Sequence, residues 1–164
     1  CDSHSASCGE TQLAYKAAEW SEEGLPFEEI CRKLIEYRDQ MNTYFVLDNL
    51  ETLRKNGRLT GVKALVASTL SIKPVMGANA GEIIQLGQAI GIKKALAKMA
   101  ETVVKEAIHP EEKSLMITHC NCLERAESVK KMILEKINVK KVLIMDTRGV
   151  SSMYANDGGV IVTL

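Results

Sequence analysis

Three groups of residues in this sequence could do chemistry. The first is Arg58, which follows Asn56-Gly57 directly after a helical run ending in Arg54-Lys55. Those two cations already favour the negative end of the helix dipole, so a third just past the glycine adds little there. An arginine fork matches a carboxylate or phosphate through two parallel hydrogen bonds. Gly57 permits the positive φ that turns the next residue out of the chain's path. Arg58 is therefore either an anion ligand or a cation on the last helical carbonyls. The second group is His119, Cys120 and Cys122. Adjacent side chains on a strand face opposite ways, so His119 and Cys120 make no nucleophile–base pair. Cys120-x-Cys122 is tighter than structural zinc spacing, and Cys1, His4 and Cys8 lie at the far end of the sequence. Structural thiols and no metal are expected. His119 stays a candidate because the carboxyl end of a strand faces ligand crevices in α/β folds. The third group is Asp2, Ser3, Ser5 and Ser7, a hydroxyl-rich ligand loop or a set of helix caps; on physical grounds caps are expected. Gly91-x-x-Lys94 lacks the second glycine and the hydroxyl of a phosphate loop. Glu22, Glu23, Glu28 and Glu29 fall at helix ends, where solvated carboxylates are expected.

These groups must be positioned by the elements between them. A helix carries Leu13, Ala17 and Trp20, and Gly24-Leu25-Pro26 ends it. Pro26 then opens a second helix, with Phe27, Ile30, Cys31, Leu34 and Met41 on its inner face. "TYFVL" (43–47) reads as a strand. Asp48 and Glu51 read as a capping box for the short helix of Leu50 and Leu53, which Gly57 terminates. "SIKPVMG" and "EIIQLGQ" flank Ala78-Asn79-Ala80-Gly81 as a β-hairpin, with Pro74 marking an edge strand. A periodic helix places Ile92, Leu96, Met99, Val103 and Ala107 inward and closes at His109-Pro110. "SLMITHC", a capping box at Asn121 and Glu124, a helix of Ala126, Val129, Ile133 and Ile137, and "KVLIMD" form a β-α-β unit with a parallel pair. "GVSSMYANDGG" is a loop or short helix, and "VIVTL" a final strand.

The composition narrows the function classes. The 164 residues suffice for one ordinary domain with a core. Twenty-one acidic and 21 basic side chains cancel, so neither a nucleic-acid nor a membrane-surface role has an electrostatic footprint. Aromatic residues are scarce, with the single Trp20, which argues against base-stacking platforms. No run approaches membrane-spanning length, so no stable membrane insertion is expected. Five scattered cysteines make no disulfide framework and suggest a reducing, cytoplasmic setting. The start at Cys1-Asp2-Ser3 reads as an excised piece. Oligomeric state is not legible.

One block goes further. "LDNLETLRKNGRLTGVKALVASTLSIKPVMGANAGEI" resembles the central signature of the DegV family: a leucine-rich short helix, a Gly-Arg turn, an apolar helix, Ile-Lys-Pro and a glycine-containing hairpin. Asp2-Ser3-x-Ser5-x-Ser7-x-Gly9 is similar to that family's domain-crossing segment, and the final β-α-β-loop-β order matches. The resemblance implies an α/β fold, a two-layer mixed β-sheet covered by helices. Residues 1–9 would be the domain-crossing segment and 10–164 the carboxyl-terminal lobe, the amino-terminal lobe lying outside this chain. It also implies a long-chain fatty acid, or related lipid carboxylate, held in a tunnel between lobes and presented to a fatty acid kinase, with no cofactor and no catalysis of its own. By the same resemblance Arg58 contacts the carboxylate. The family's Thr-His-x-Gly-Pro-Gly is here Met153-Tyr154-Ala155-Asn156-Asp157-Gly158-Gly159, without the histidine. Tyr154, Asn156, Ser152 and His119 are the other candidate ligand-binding residues. Met76, Leu86, Ile90 and Leu70 are candidates for tunnel or core. The alternative is an acyl or phosphoryl transferase using His119 with a nucleophile from the missing lobe. A third reading is a protein–protein module in which Arg58 is a cap.

Overall fold

The computed structural model describes residues 1–59 and 71–164. The expected apolar helix after Leu59, with Leu70, lies outside the described residues. The elements run α1 (Cys8–Glu22), α2 (Phe27–Asp39), β1 (Thr43–Val46), α3 (Glu51–Lys55), β2 (Ile72–Asn79), β3 (Glu82–Ile90) and α4 (Ile92–Glu106). A 3-10 turn (Pro110–Glu112), β4 (Ser114–His119), α5 (Leu123–Leu134), β5 (Lys141–Asp146), α6 (Gly149–Ala155) and β6 (Val160–Thr163) complete the order.

The strands form one mixed sheet in the order β3-β2-β1-β6-β4-β5. Among the described residues only β4 and β5 pair in parallel, with Ser114 opposite Lys141 and His119 opposite Asp146. This is the β-α-β unit expected from two apolar runs separated by a periodic helix. The last strand, β6, is threaded between β1 and β4, antiparallel to both. Alternation then sorts side chains to two faces. Tyr44, Val46, Val75, Leu115, Ile117, Val160 and Val162 meet α4 and α5 through Leu96, Met99, Val103, Val129 and Ile133. On the other face Phe45, Leu47, Met76 and Ile161 meet α3 and α6 through Leu53 and Ala155. α1 packs against β4 and β6 on that same face, where Cys8 reaches the Ile161 carbonyl and Gln12 bonds Ser114 and Thr163. The expected mixed sheet with covering helices is thus present, and helices cover both faces.

Local expectations fared unevenly. The hairpin closes through Ala80-Gly81, both at positive φ (48° and 85°), between Asn79 and Glu82. Pro74, however, does not mark an edge: β2 lies inside the sheet, and Pro74 sits beyond Met76, where pairing with β1 has stopped, opposite Gln88 of the true edge strand β3. Its missing N–H therefore costs no ladder bond to β1. Phe27, expected on the inner face of α2, is 74 % exposed, because α2 packs chiefly on α1. Ile90 is likewise exposed, and Leu86 packs on the α4 side. Neither proposed capping box forms. Glu51's N–H takes the Asn49 side chain instead of that of Asp48, and α5 starts from Cys122 with no side-chain cap bond. Among the described residues no helix is long and apolar enough to cross a membrane.

Candidate functional site

On the face away from α4 and α5 the sheet floors a cavity of about 710 Å³. Its floor is Thr43, Phe45 and Leu47 of the β1 segment with Ile161 of β6. One wall is α3 and its turn, through Leu53, Gly57 and Arg58; the adjoining wall is α6, through Val150, Ser151, Tyr154 and Ala155. The opening segment, Asp2 to Ser7 less Ser3, and the tip of the β2–β3 hairpin close the remaining sides.

Arg58 reaches this cavity because of how α3 ends. Gly57 has a φ of 69°, its N–H donates to the Arg54 carbonyl at 3.1 Å, and the Arg58 N–H donates to the Leu53 carbonyl at 2.9 Å. That is a Schellman ending, which satisfies the last carbonyls with backbone N–H groups. The helix end is therefore capped without the Arg58 side chain. Arg54 and Lys55 turn back to Glu51, which lowers the pKa of that exposed carboxyl. Among the described residues the Arg58 guanidinium has no carboxylate partner, whereas Arg32, Arg38, Arg54 and Arg125 each have one.

The hydroxyls of the opening segment do not cap α1 as expected. Ser7 precedes the helix at a φ of 57° with no side-chain cap bond, and its hydroxyl pairs with that of Thr118 at 2.9 Å. Ser5 pairs with Thr43 at 2.7 Å, tying the segment to the cavity floor. Ser3 turns inward, accepting from the Ser5 N–H and donating to Glu10 at 2.7 Å. Asp2 accepts from the His4 N–H at 3.0 Å. Ser5, Ser7 and Thr43 therefore put three hydroxyls on one side of the cavity, with Arg58 on another wall.

Of the five residues singled out from the sequence, Arg58 and Tyr154 line the cavity, and Ser152, Asn156 and His119 do not. Ser152's hydroxyl pairs with Thr147 at 2.9 Å. Asn156 bonds across to the α3 segment. His119 is buried; its Nδ1 accepts from the Cys122 N–H at 3.4 Å and lies 3.6 Å from Asp146. The sequence reading missed His4, Thr43 and Ser151 as lining residues, and it missed the Asp48–Arg125 pair. Arg125 donates to Asp48 at 2.5 Å and to the Gly158 carbonyl at 2.6 Å. Nothing local signals a bond between residues 77 positions apart. All five cysteines are free; burial pushes the Cys8 and Cys122 thiols up. Among the described residues no group of three or more metal-ligating side chains gathers.

Comparison with known proteins agrees with this architecture. A DegV domain-containing protein of Clostridium perfringens is 35 % identical over 144 residues, 87 % of this chain and 50 % of that protein. A DegV family crystal structure from Ruminococcus gnavus, refined with vaccenic acid, superposes with a TM-score of 0.96 at 48 % identity, over 100 % of this chain and 59 % of that one. The fatty acid kinase B3 protein of Streptococcus pneumoniae, loaded with linoleic acid, gives a TM-score of 0.86 at 27 % identity, over 99 % of this chain and 57 % of that one. The chain thus spans about half the length of the curated relatives it matches. The sequence model of the family matches residues 1–163, and the chain belongs to the DegV family.

Proposed function

We propose that this chain is the carboxyl-terminal lobe of a protein that holds one long-chain fatty acid and presents it to a fatty acid kinase. The observation that carries the reading is the cavity's division: Phe45, Leu47, Leu53, Ile83 and Ile161 offer apolar surface, while Arg58 and the Ser5, Ser7 and Thr43 hydroxyls offer a cation and donors. That is the complement of an acyl chain with a carboxylate at one end. Each buried methylene gains roughly 0.8 kcal/mol, and a charge-assisted bond to arginine fixes which end is held. The fatty acids in the DegV structures from Ruminococcus gnavus and Streptococcus pneumoniae support the same ligand class. The second wall, and further hydroxyl partners, come from the lobe outside this chain. The ligand is carried rather than transformed, and the setting is cytoplasmic, where a kinase finds its nucleotide. His119 lies outside the cavity lining with Nδ1 engaged, which favours a carrier over a transferase built on that residue.

Native mass spectrometry of the two-lobe protein, followed by lipid extraction, tests this. One fatty acid per protein, chemically unchanged on incubation until a fatty acid kinase and nucleotide are added, is the expected result. Protein that carries no lipid and takes up no added fatty acid would overturn it. So would turnover of an acyl ester or acyl phosphate by the protein alone, abolished in His119→Ala.

A further inference from the structure

We infer that Asn156 is a positioning residue, a latch that ties α6 to the leader of α3 and so sets where Arg58 stands. The inference rests on the fatty-acid reading above. α3 is only five residues long and, within it, buries only Leu53. A helix that short does not hold itself together in water, so its place is set by ties made at its start. Four hydrogen bonds converge there. Asn156 donates from Nδ2 to the Asn49 carbonyl at 3.3 Å and accepts at Oδ1 from the Thr52 hydroxyl at 3.3 Å. Its Nδ2 also donates to the Tyr154 carbonyl at 3.1 Å, so the same amide grips the end of α6. Two residues on, the Gly158 carbonyl takes Arg125, which also holds Asp48; Lys73 donates to the Asp48 carbonyl at 2.7 Å. A Cβ at Gly158, which has a φ of 84°, would displace the Asp48 and Arg125 side-chain ends. Asn156 itself adopts a φ of 55°, a conformation asparagine tolerates better than most residues.

The latch joins the two cavity walls without lining the cavity. α3 and its turn bring Arg58, α6 brings Tyr154 and Ser151, and the Asn156 amide spans between them. A carboxylate bound by Arg58 needs the guanidinium held in place, since a hydrogen bond weakens steeply once donor and acceptor move beyond about 3.2 Å. Asn156 therefore acts on the ligand through Arg58.

The test is a double-mutant cycle on the two-lobe protein, with oleate affinity measured by titration for wild type, Asn156→Ala, Arg58→Ala and the pair. Asn156→Ala should weaken oleate binding by about threefold to tenfold, and the double variant should bind no worse than Arg58→Ala alone. Thr52→Val removes one of the two latch bonds to α3 without changing side-chain shape, and it should show part of the loss even if Asn156→Ala does not fold. Ile133→Val, which loosens the core on the opposite face, controls for destabilisation and should leave affinity unchanged. Additive losses in Asn156→Ala and Arg58→Ala, or no loss in either latch variant, would overturn the latch while leaving the carrier intact. Unchanged affinity in Arg58→Ala would instead overturn the carboxylate reading, and the latch with it.

Discussion

At the scale of single residues, the question is what an arginine does when its helix no longer needs it. The Schellman ending of α3 satisfies the last carbonyls through the backbone, and Arg54 and Lys55 are spent on Glu51. Arg58 is left facing the cavity. Arg58→Ala should therefore weaken fatty-acid binding far more than stability. An exposed post-helix cation contributes under ~1 kcal/mol to folding. A charge-assisted bond to a sequestered carboxylate is worth roughly 1.5–3 kcal/mol, on the order of tenfold or more in affinity. Arg58→Lys should recover part of it, because an ammonium lacks the planar fork. Fatty-acid titrations beside thermal melts check this; a melt that falls as far as the binding would return Arg58 to a structural role. The turn that carries Arg58 was legible in the sequence because its signals were local, a glycine, an asparagine and two preceding cations within five residues, but those signals left open whether the arginine binds an anion or caps the helix. Asp48 was misread for the same reason. Its capping-box pattern with Glu51 is also local, but an aspartate pairs with the strongest donor in reach, and Arg125 arrives from 77 positions away.

At the scale of elements, legibility followed how completely an element's own pattern decides its place. β4, α5 and β5 were readable because two apolar runs around an amphipathic helix admit few arrangements. For α2 the helix was readable and its inner face was not, since it packs chiefly on α1 and Phe27 ends in solvent. α1 shows what fixes such an outer layer. Lys16 is buried against the Trp20 and Tyr37 rings, at 5.9 Å and 5.6 Å, and bonds Glu19 at 2.6 Å. That bond holds the Glu19 carboxyl below its ordinary value of 4.5. A carboxylate lowered in this way stabilises the fold above its unfolded pKa, and the contribution is lost as pH falls through the folded value. Glu19→Gln should therefore cost about 1 kcal/mol near neutrality, and its melting curve should converge on wild type in acid below about pH 4.5. A gap that persists unchanged at low pH would assign the pair no role in stability. At the head of the same helix, burial raises the Cys8 thiol, while Cys1 is exposed. Alkylation of the native chain at neutral pH should label Cys1 early and Cys8 only on unfolding; early labelling at Cys8 would show that α1 opens from the sheet.

At the scale of the whole molecule, the function proposed above gives this chain its own folding core and only part of what binding needs. Among the described residues the six strands pair with one another, and an apolar cluster is buried on each face of the sheet. The isolated chain should therefore melt cooperatively. The cavity is different, because an acyl chain lying on one wall leaves its other side in water. If that wall covers about half of each methylene, the ~0.8 kcal/mol gained per buried CH₂ falls to ~0.4. Over the roughly 16 methylenes of an octadecanoic acid the deficit is ~6 kcal/mol, about four orders of magnitude in Kd. Arg58 cannot offset this, since the same opening lets water screen its bond to the carboxylate. A chain of residues 1–164 titrated with oleate should accordingly show affinity weaker by at least a thousandfold than the two-lobe protein, with an intact far-ultraviolet spectrum and a single melting transition. Submicromolar binding by the chain alone would place the complete ligand site within one lobe and remove the reason for a second.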